Sequence, residues 1–270
     1  MADLTAARET LQRVFGHNDF RGLQSDVISE VLDGRDVMAV LPTGGGKSFC
    51  YQIPAILREG VGLVVSPLIA LMQDQVASLR SAGVAAARLD STIDSQARRE
   101  WLNAAREGKL DLLYVSPEGL FAQGFLDFLE QCPIALIAID EAHCVSQWGH
   151  DFRPEYRALT VLHERYPQVP RMGLTATADA LTREDIVERL QLQGARAFVS
   201  SFDRPNIRYT IVEKKDPTTQ LLRFVQGEHT GDAGIVYCQS RKRVEEIAQT
   251  LRDQGVDALP YHAGLDAKVR

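Results

Sequence analysis

The stretch that decides the fold is TGGGKS at residues 43–48, which follows an apolar run near residues 36–41. Glycines let a backbone curl so that successive N–H groups face phosphate oxygens, and a helix opening at Lys47 adds its positive dipole end. In this pattern the lysine reaches the β- and γ-phosphates and the Ser48 hydroxyl holds Mg²⁺. A strict phosphate loop has glycine where this chain has Leu41, so the match is to a relaxed form. A glycine-rich turn before a helix is the ordinary alternative.

A second stretch, IALIAIDEAH at residues 134–143, favours the interpretation of TGGGKS as a phosphate-binding loop. The six apolar residues predict a buried parallel strand, which places Asp140 and Glu141 at its carboxyl end. Open α/β sheets bind their ligands at that edge. The two stretches together therefore predict a nucleoside triphosphate site with a magnesium-binding carboxylate.

Composition limits the class of protein. The chain has 270 residues, of which 45% are hydrophobic, so it can bury a large core. Its formal net charge of -6 gives no general attraction for nucleic acid, which would need a local basic surface. The four cysteines form no CxxC pair, which argues against a zinc site or a disulfide framework. Reduced residence in the cytoplasm fits best, without a signal peptide or a membrane-spanning run.

The order of apolar runs predicts an α/β fold, a RecA-like parallel sheet with helices on both faces. Two amphipathic helices precede six predicted strands, which lie near residues 36–41, 61–65, 85–89, 111–115, 134–139 and 171–175. Residues 195–206 are predicted to be a linker. We expect a first domain over residues 1–200 and an incomplete second RecA-like lobe over residues 201–270. In that lobe the alternation of strands and helices is predicted to begin again with a strand at 207–212. Helices near 217–226 and 241–254 and strands at 234–238 and 257–261 are predicted to follow.

Two junctions share one design, VVSPL at residues 64–68 and YVSPE at residues 114–118. In each, we predict that the serine, Ser66 or Ser116, caps a helix whose first residue is the following proline, Pro67 or Pro117. Capping alone is one interpretation. The other is that two helix N-termini at one sheet edge present N–H groups to the phosphates of a nucleic-acid strand.

The segment CVSQWGHDFRPEYRAL at residues 144–159 mixes aromatic and basic residues. Trp148, Phe152 and Tyr156 could stack on unpaired bases, and Arg153 could contact phosphate, as is typical of single-strand binding. A small hydrophobic cluster is the alternative. Because the segment follows the DEAH sequence directly, it is predicted to link a bound strand to the nucleotide.

Hydrogen-bonding side chains around these stretches are further candidates. His143 and Gln147 could carry the link between strand and nucleotide. In GLTATA at residues 173–178, the hydroxyls of Thr175 and Thr177 could bond His143 or Asp140, or could cap the next helix. Upstream, in FGHNDFRGLQ at residues 15–24, Gln24 and Arg21 are weak candidates for reading adenine.

With these residues identified, the chain resembles the bacterial RecQ family of superfamily 2 DNA helicases from about Phe15 to Leu265. The most specific element is DEAHCVSQWGHDFRPEY at residues 140–156. Three further stretches match the family in order, SFDRPNI at 201–207, YCQSRKRVE at 237–245 and YHAGL at 261–265.

The resemblance implies an ATP-dependent DNA helicase that moves 3′ to 5′ on single-stranded DNA in recombination and repair, with ATP and Mg²⁺ as cofactors. The implied catalytic residues are Lys47, Asp140, Glu141 and His143. The implied nucleotide-binding residues are Arg21, Gln24, Thr43, Gly44, Gly45, Gly46, Lys47 and Ser48, and the metal ligands are Ser48 and Asp140. The implied DNA-binding or coupling residues are Ser66, Pro67, Ser116, Gln147, Trp148, Phe152, Arg153, Thr175, Thr177, Ser240 and Arg241.

RecQ proteins continue past the YHAGL sequence with the motif that supplies an arginine finger, and usually with a zinc-binding region and a winged helix. The sequence ends at Arg270. Phosphoryl transfer depends strongly on such a finger, so these residues alone are expected to bind Mg-ATP, to hydrolyse it poorly and not to unwind DNA. An RNA helicase or duplex remodeller, and an ATP-dependent binding module without motor activity, remain open alternatives.

Overall fold

The computed structural model describes residues 4–147, 153–201, 207–266 and 269. Its contacts divide the chain into two units, residues 1–203 and residues 204–270. The first unit contains a seven-stranded sheet of strand order β3-β4-β2-β5-β6-β1-β7. Every neighbouring pair is parallel. The predicted α/β fold with a parallel sheet is therefore confirmed.

The strands of the first unit are β1 Val37–Val40, β2 Val61–Val65, β3 Ala86–Leu89, β4 Leu112–Val115, β5 Ile134–Ile139, β6 Arg171–Thr175 and β7 Arg196–Val199. The helices are α1 Thr5–Phe15, α2 Gln24–Leu32, α3 Phe49–Leu57, α4 Ile69–Ser81, α5 Ser95–Arg106, α6 Pro117–Leu120, α7 Phe125–Leu129, α8 Pro154–Arg157, α9 Val161–Arg165 and α10 Ala180–Arg189. Short 3₁₀ turns cover Ala142–Val145 and Ala158–Thr160. Across the parts of the chain described, no helix is long and apolar enough to cross a membrane.

Successive residues of the central strands pack into different hydrophobic clusters because side chains alternate between the faces of a sheet. Met38, Leu63 and Ile137 belong to one cluster. Their neighbours Ala39 and Val64 belong to the other. Both faces of the sheet are thus covered, which explains why unbroken apolar runs, and not alternating ones, identify these strands in the sequence.

The predicted linker at residues 195–206 was partly wrong, because residues 196–199 form the edge strand β7. This strand pairs in parallel with β1, with Val40 opposite Val199. Only Phe198 of the strand is buried. An edge strand with one inward apolar residue carries almost no hydrophobic signal in the sequence, which is why it was missed.

The two Ser-Pro junctions differ in structure. Ser116 caps α6, with its hydroxyl accepting from the Gly119 N–H at 3.1 Å, as predicted. The corresponding prediction for Ser66 is wrong, because α4 begins only at Ile69. The Ser66 N–H donates to the Val115 carbonyl at 3.0 Å, so Ser66 still belongs to the sheet. The helix after the phosphate loop likewise begins at Phe49 and not at Lys47.

The second unit contains two helices within residues 207–266, α11 Pro217–Arg223, extended by a π-helical turn Phe224–Glu228, and α12 Arg241–Asp253. The strands predicted at 207–212, 234–238 and 257–261 are not formed in that described part. Among the described residues, no neighbouring strand pairs with these segments. Their apolar side chains are exposed, Ile211 to 99% and Tyr237 to 91%. Apolar sequence alone therefore misled the prediction here, because a strand needs a neighbour for its backbone groups.

We predict that Asp36→Ala destabilises the first unit by about 3 kcal/mol, because it leaves a buried guanidinium without its carboxylate. Asp36 bonds both the backbone N–H and the guanidinium of Arg171, whose side chain is 5% exposed. Urea unfolding measures the loss. Glu107→Ala is the matched control, since it removes a surface pair with Lys109 and should leave the stability unchanged. Equal stabilities for the two variants would contradict the prediction.

Candidate functional site

The segments that follow β1 and β5 line a cavity of about 430 Å³. Both strands neighbour β6 in the order β5-β6-β1, although they are far apart in the sequence. Nine of the predicted site residues line the cavity, Arg21, Gln24, Thr43, Gly44, Gly46, Lys47, Ser48, Asp140 and Glu141. The structure therefore brings the glycine-rich loop and the acidic pair to one cavity.

The loop at residues 43–48 requires its glycines. Gly44 and Gly46 have φ values of +77° and +69°, a backbone region that disfavours side chains. A Cβ on Gly45 would lie 2.8 Å from the Pro42 carbonyl oxygen. Leu41 lies outside the turn, is buried, and donates its N–H to the Thr175 carbonyl at 3.0 Å. A leucine is therefore tolerated where the strict pattern has glycine, since this position extends the β1 ladder.

The Gln24 side chain links the loop to the segment before α2 by hydrogen bonds. Its Oε1 accepts the Arg21 N–H at 2.8 Å, and its Nε2 donates to the Gly45 carbonyl at 2.8 Å and the Gly46 carbonyl at 3.3 Å. Gln24 is 3% exposed. Both ends of this amide are thus engaged by backbone groups, which sequence reasoning did not anticipate.

Asp140 is a buried carboxyl at the end of β5. Desolvation raises its pKa to about 6, and the nearby negative charge of Glu141 adds to the rise. The Oδ1 atom accepts the Glu141 N–H at 3.0 Å. Burial makes the charged form of a carboxyl group unfavourable. A nearby cation therefore stabilises a buried carboxylate more than an exposed one.

Glu141 has a left-handed backbone, with φ of +48°. This region costs a residue with a side chain roughly 1–2 kcal/mol. Its side chain is 24% exposed and lines the cavity, whereas Asp140 is 8% exposed. The unusual backbone thus turns two adjacent carboxyl groups towards the same space.

A short hydrogen-bond chain joins the acidic pair to the end of β6. The Nδ1 atom of His143 lies 2.9 Å from Thr175 Oγ1 and 3.3 Å from Glu141 Oε2. The Thr175 hydroxyl donates to the Thr177 carbonyl at 3.1 Å. The Thr177 side chain itself is exposed, and Asp179 caps α10 in its place.

Tyr156 does not have the surface position expected of a base-stacking residue. It is 0% exposed, and its hydroxyl donates to the Asp140 backbone carbonyl at 3.0 Å. Arg153 donates from its Nη1 to the Pro67 carbonyl at 3.0 Å. The predicted residues Trp148 and Phe152 lie outside the described part of the chain, and Gln147 is exposed.

Sequence reasoning also missed a polar cluster beneath the cavity. Gln52 donates from its Nε2 to Gln75 Oε1 at 2.8 Å and to the Tyr114 hydroxyl at 3.2 Å. The Tyr114 hydroxyl lies 3.4 Å from that of Tyr51. Tyr51 and Gln75 line the cavity. The signal available in the sequence was a set of polar or amphipathic residues at positions that face the core.

Within the first unit, Ser66, Pro67 and Ser116 do not line the cavity. Ser66 and Pro67 follow β2, and Ser116 follows β4, at the same edge of the sheet. Ser66 is 1% exposed, and its hydroxyl has no hydrogen-bond partner among the described residues. In the second unit, the Ser240 hydroxyl accepts the Arg243 N–H at 3.2 Å and caps α12, which begins at Arg241.

The oxygen groups at the cavity suit a small hard cation. The described residues contain no cluster of three or more His, Cys, Asp or Glu that could hold a metal by themselves. Mg²⁺ commonly takes one or two carboxylates and shares the rest of its coordination with water and substrate phosphates. The Ser48 hydroxyl and the Asp140 carboxylate line the cavity and fit that requirement.

Comparison with known proteins gives a family match over most of the first unit. Residues 21–186 match the DEAD/DEAH box helicase family. A protein of Pasteurella multocida (strain Pm70), described as ATP-dependent DNA helicase RecQ, is 50% identical over 98% of this chain and 42% of its own length. The protein of the same description from Bacillus subtilis (strain 168) is 41% identical, over 99% of this chain and 45% of its own length. The chain spans less than half the length of either relative.

Solved structures share the fold at low sequence identity. The crystal structure of the DUF1998 helicase MrfA bound to DNA and AMPPNP gives a TM-score of 0.74 at 19% identity, covering 100% of this chain and 42% of that one. A hypothetical ATP-dependent RNA helicase from Sulfolobus tokodaii gives 0.58 at 21% identity, covering 91% of this chain and 72% of that one. The predicted RecA-like fold is thus confirmed.

We predict that Gly46→Ala destabilises the chain more than Gly44→Ala. Both positions have positive φ, so each alanine costs about 1 kcal/mol from backbone strain. A Cβ on Gly46 would also lie 2.3 Å from Gln24 Nε2, whereas nothing lies within 4 Å of one on Gly44. Displacing the Gln24 amide adds roughly 1–2 kcal/mol for its lost hydrogen bonds. Urea unfolding of both variants tests this, and equal losses would contradict the role given to Gln24.

Proposed function

This chain belongs to the DEAD/DEAH box helicase family, and from that premise we propose that it is the ATP-binding part of an ATP-dependent DNA helicase of RecQ type. The observation that carries the proposal is the meeting of the glycine-rich loop and the acidic pair at one cavity. The high identity to RecQ proteins supports the choice of DNA as substrate. Because the chain spans 42% of the first of these relatives, unwinding is proposed for the whole protein and not for these residues alone.

In the proposed reaction a water molecule attacks the γ-phosphorus of ATP, the bond from that phosphorus to the β–γ bridging oxygen breaks, and ADP and inorganic phosphate are released. Lys47 binds the β- and γ-phosphates, and the backbone N–H groups of the loop face the phosphate oxygens. Ser48 and Asp140 would hold Mg²⁺, which would supply positive charge to neutralise the phosphate oxygens. Glu141 orients the attacking water and accepts a proton from it.

His143 positions Glu141 in this proposal. Its Nδ1 atom lies 3.3 Å from Glu141 Oε2 and 2.9 Å from Thr175 Oγ1. A change at the end of β6 would therefore alter the direction of the glutamate carboxylate. Thr175 and Thr177 accordingly act on hydrolysis through His143 and not by contact with the nucleotide.

We propose that Arg21 and Gln24 recognise adenine. The amide of Gln24 is already engaged in hydrogen bonds, which limits how it can do so. A glutamine amide reads adenine by accepting from N6 and donating to N7. Both of those atoms of Gln24 are bonded to backbone groups. Reading adenine would therefore require Gln24 to exchange its bonds to Arg21 and the loop, so base recognition would loosen or reset the loop.

The strand-binding surface is proposed to lie at the carboxyl edge of β2 and β4. Ser66, Pro67 and Ser116 follow these strands, and Arg153 donates to the Pro67 carbonyl. Trp148 and Phe152 would stack on bases of single-stranded DNA, with Gln147 beside them. Ser240 and Arg241 are proposed to contact DNA from the second unit. Movement 3′ to 5′ and action in recombination and repair remain predictions from the resemblance, and residence in the cytoplasm remains a prediction from the composition.

We predict that Lys47→Ala lowers the affinity for Mg-ATP by about 10- to 100-fold, because a charge-assisted contact with phosphate is lost. Isothermal titration calorimetry measures the change. The control is Lys109→Ala, which removes an ammonium that is 72% exposed and pairs with Glu107 on the surface. Wild-type affinity in Lys47→Ala would contradict the proposed nucleotide site.

Glu141→Gln is expected to keep Mg-ATP binding and to lose turnover, since an amide cannot accept a proton from the attacking water. Steady-state phosphate release should be measured with and without single-stranded DNA, and with single-stranded RNA in its place. If single-stranded DNA stimulates phosphate release and Glu141→Gln abolishes that stimulation, the DNA helicase hypothesis is supported. Stimulation by RNA alone would favour an RNA helicase, and nucleotide-dependent strand binding without turnover would favour a binding module.

A further inference from the structure

The polar cluster beneath the cavity is a continuous row of four hydrogen-bonding side chains, in the order Gln75, Gln52, Tyr114 and Tyr51. Gln52 and both tyrosines are buried. Polar groups cost free energy to bury unless they are paired, so apolar side chains of the same size would be cheaper here. The two ends of the row, Gln75 and Tyr51, line the cavity, whereas Gln52 and Tyr114 lie behind them.

Tyr51 stands on the same side of α3 as the serine of the glycine-rich loop. Ser48 is the residue directly before α3, and Tyr51 is three residues further along. Residues three apart on a helix are neighbours on its surface. Both residues line the cavity, together with Asp140.

The carboxyl group of Asp140 lies on the face of the sheet that carries the two tyrosines. Across β2, Tyr114 is level with Ala138 of β5, and both pack in the hydrophobic cluster that contains Tyr51. Asp140 comes two residues after Ala138 and continues the ladder, since its N–H donates to the Val65 carbonyl at 2.9 Å. Strand alternation therefore places Asp140 on that face. Burial, and after it the charge of Asp140, raises the pKa of both tyrosines, so their hydroxyls stay neutral.

The Tyr51 oxygen has room for a further hydrogen bond. A phenol hydroxyl donates one hydrogen bond and can accept two. The contact with Tyr114 at 3.4 Å uses one of these positions, whichever hydroxyl donates, so an acceptor position is left. Mg²⁺ usually keeps several of its waters, and a water that ligates a cation turns its protons outward and donates them. The Tyr51 oxygen is a suitable acceptor for such a water.

We propose that Tyr51 is a positioning residue of the cation site, whose hydroxyl oxygen accepts a hydrogen bond from a water of the hydrated cation that Ser48 and Asp140 would hold. The proposal rests on the function proposed above, in which this cation accompanies ATP. Gln52 and Tyr114 keep the hydroxyl in place from behind. Groups that bond to the ligands of a metal, and not to the metal itself, typically change its affinity by roughly 10- to 100-fold.

The experiment measures how strongly the cation supports nucleotide binding and needs no turnover. Isothermal titration calorimetry gives the dissociation constant of AMPPNP for the 270-residue chain in Mg²⁺ and again in EDTA. The EDTA value divided by the Mg²⁺ value is the metal factor. We expect Tyr51→Phe, which removes only the hydroxyl, to lower the metal factor about 10-fold and to leave the EDTA value unchanged. A merely structural role would weaken binding equally in both conditions and keep the factor.

Tyr166→Phe is the matched control, because the Tyr166 hydroxyl is buried, has no hydrogen-bond partner among the described residues and lies outside the cavity lining. Its metal factor should equal that of the wild type. Tyr114→Phe is a second variant, which decides the test if thermal unfolding shows that Tyr51→Phe does not fold. It leaves the Tyr51 hydroxyl in place without its support, so the metal factor should fall, but by less than in Tyr51→Phe.

Three results would overturn the proposal. The first is a wild-type metal factor in folded Tyr51→Phe, or in Tyr114→Phe where that variant decides. The second is an equal fall in Tyr166→Phe, which would show a general effect of removing buried hydroxyls. The third is a wild-type metal factor of one, which would refute the cation site as well. Failure of the wild type to bind AMPPNP in either condition would instead refute the nucleotide site itself, and the inference with it.

Discussion

The parallel pairing of β5 with β2 on one side and β6 on the other is the constraint on which the rest of the structure depends. Parallel strands all end at the same edge, so residues that are far apart in the sequence meet there. Both faces of this sheet are covered by apolar side chains, which leaves the edge as the place for polar groups. Asp140 follows β5, and Thr175 is the last residue of the neighbouring strand β6. The glycine-rich loop follows β1, which lies on the other side of β6.

Burial then gives the edge its chemistry. Asp140 has a pKa raised to about 6 because it is desolvated beside Glu141. A carboxyl group in that position is stabilised by a cation, and the Ser48 hydroxyl lines the same cavity. The surrounding contacts act on geometry: Gln24 fixes the loop, His143 bonds Thr175, and Tyr156 holds the Asp140 carbonyl. The site is therefore a small number of reactive groups held by a larger set of backbone and side-chain bonds.

The sequence allowed strands β1 to β6 and the cavity's glycine and acidic residues to be predicted, because buried parallel strands are unbroken apolar runs and the loop needs a backbone that glycine favours. It did not reveal β7, in which only Phe198 is buried, or the depth of Tyr156, whose aromatic ring suggested stacking on bases. Ser66 was misassigned because a Ser-Pro pair does not say whether the strand has ended. In the second unit, apolar runs near Ile211 and Tyr237 predicted strands that need partners absent from the described residues. Pairing partners and burial depth are tertiary properties, which local patterns do not encode.

The central claim is that Ser48 of the loop and Asp140 of the acidic pair would hold a single metal ion between them. The most direct test is the affinity for Mn²⁺, used in place of Mg²⁺, measured by electron paramagnetic resonance in the presence of AMPPNP for Ser48→Ala, Asp140→Asn and the double variant. If the two side chains share one ion, each single change weakens Mn²⁺ binding and the double variant loses less than the sum of the two free-energy changes. Losses that simply add, or an Asp140→Asn variant that binds Mn²⁺ as tightly as the wild type, would contradict the claim.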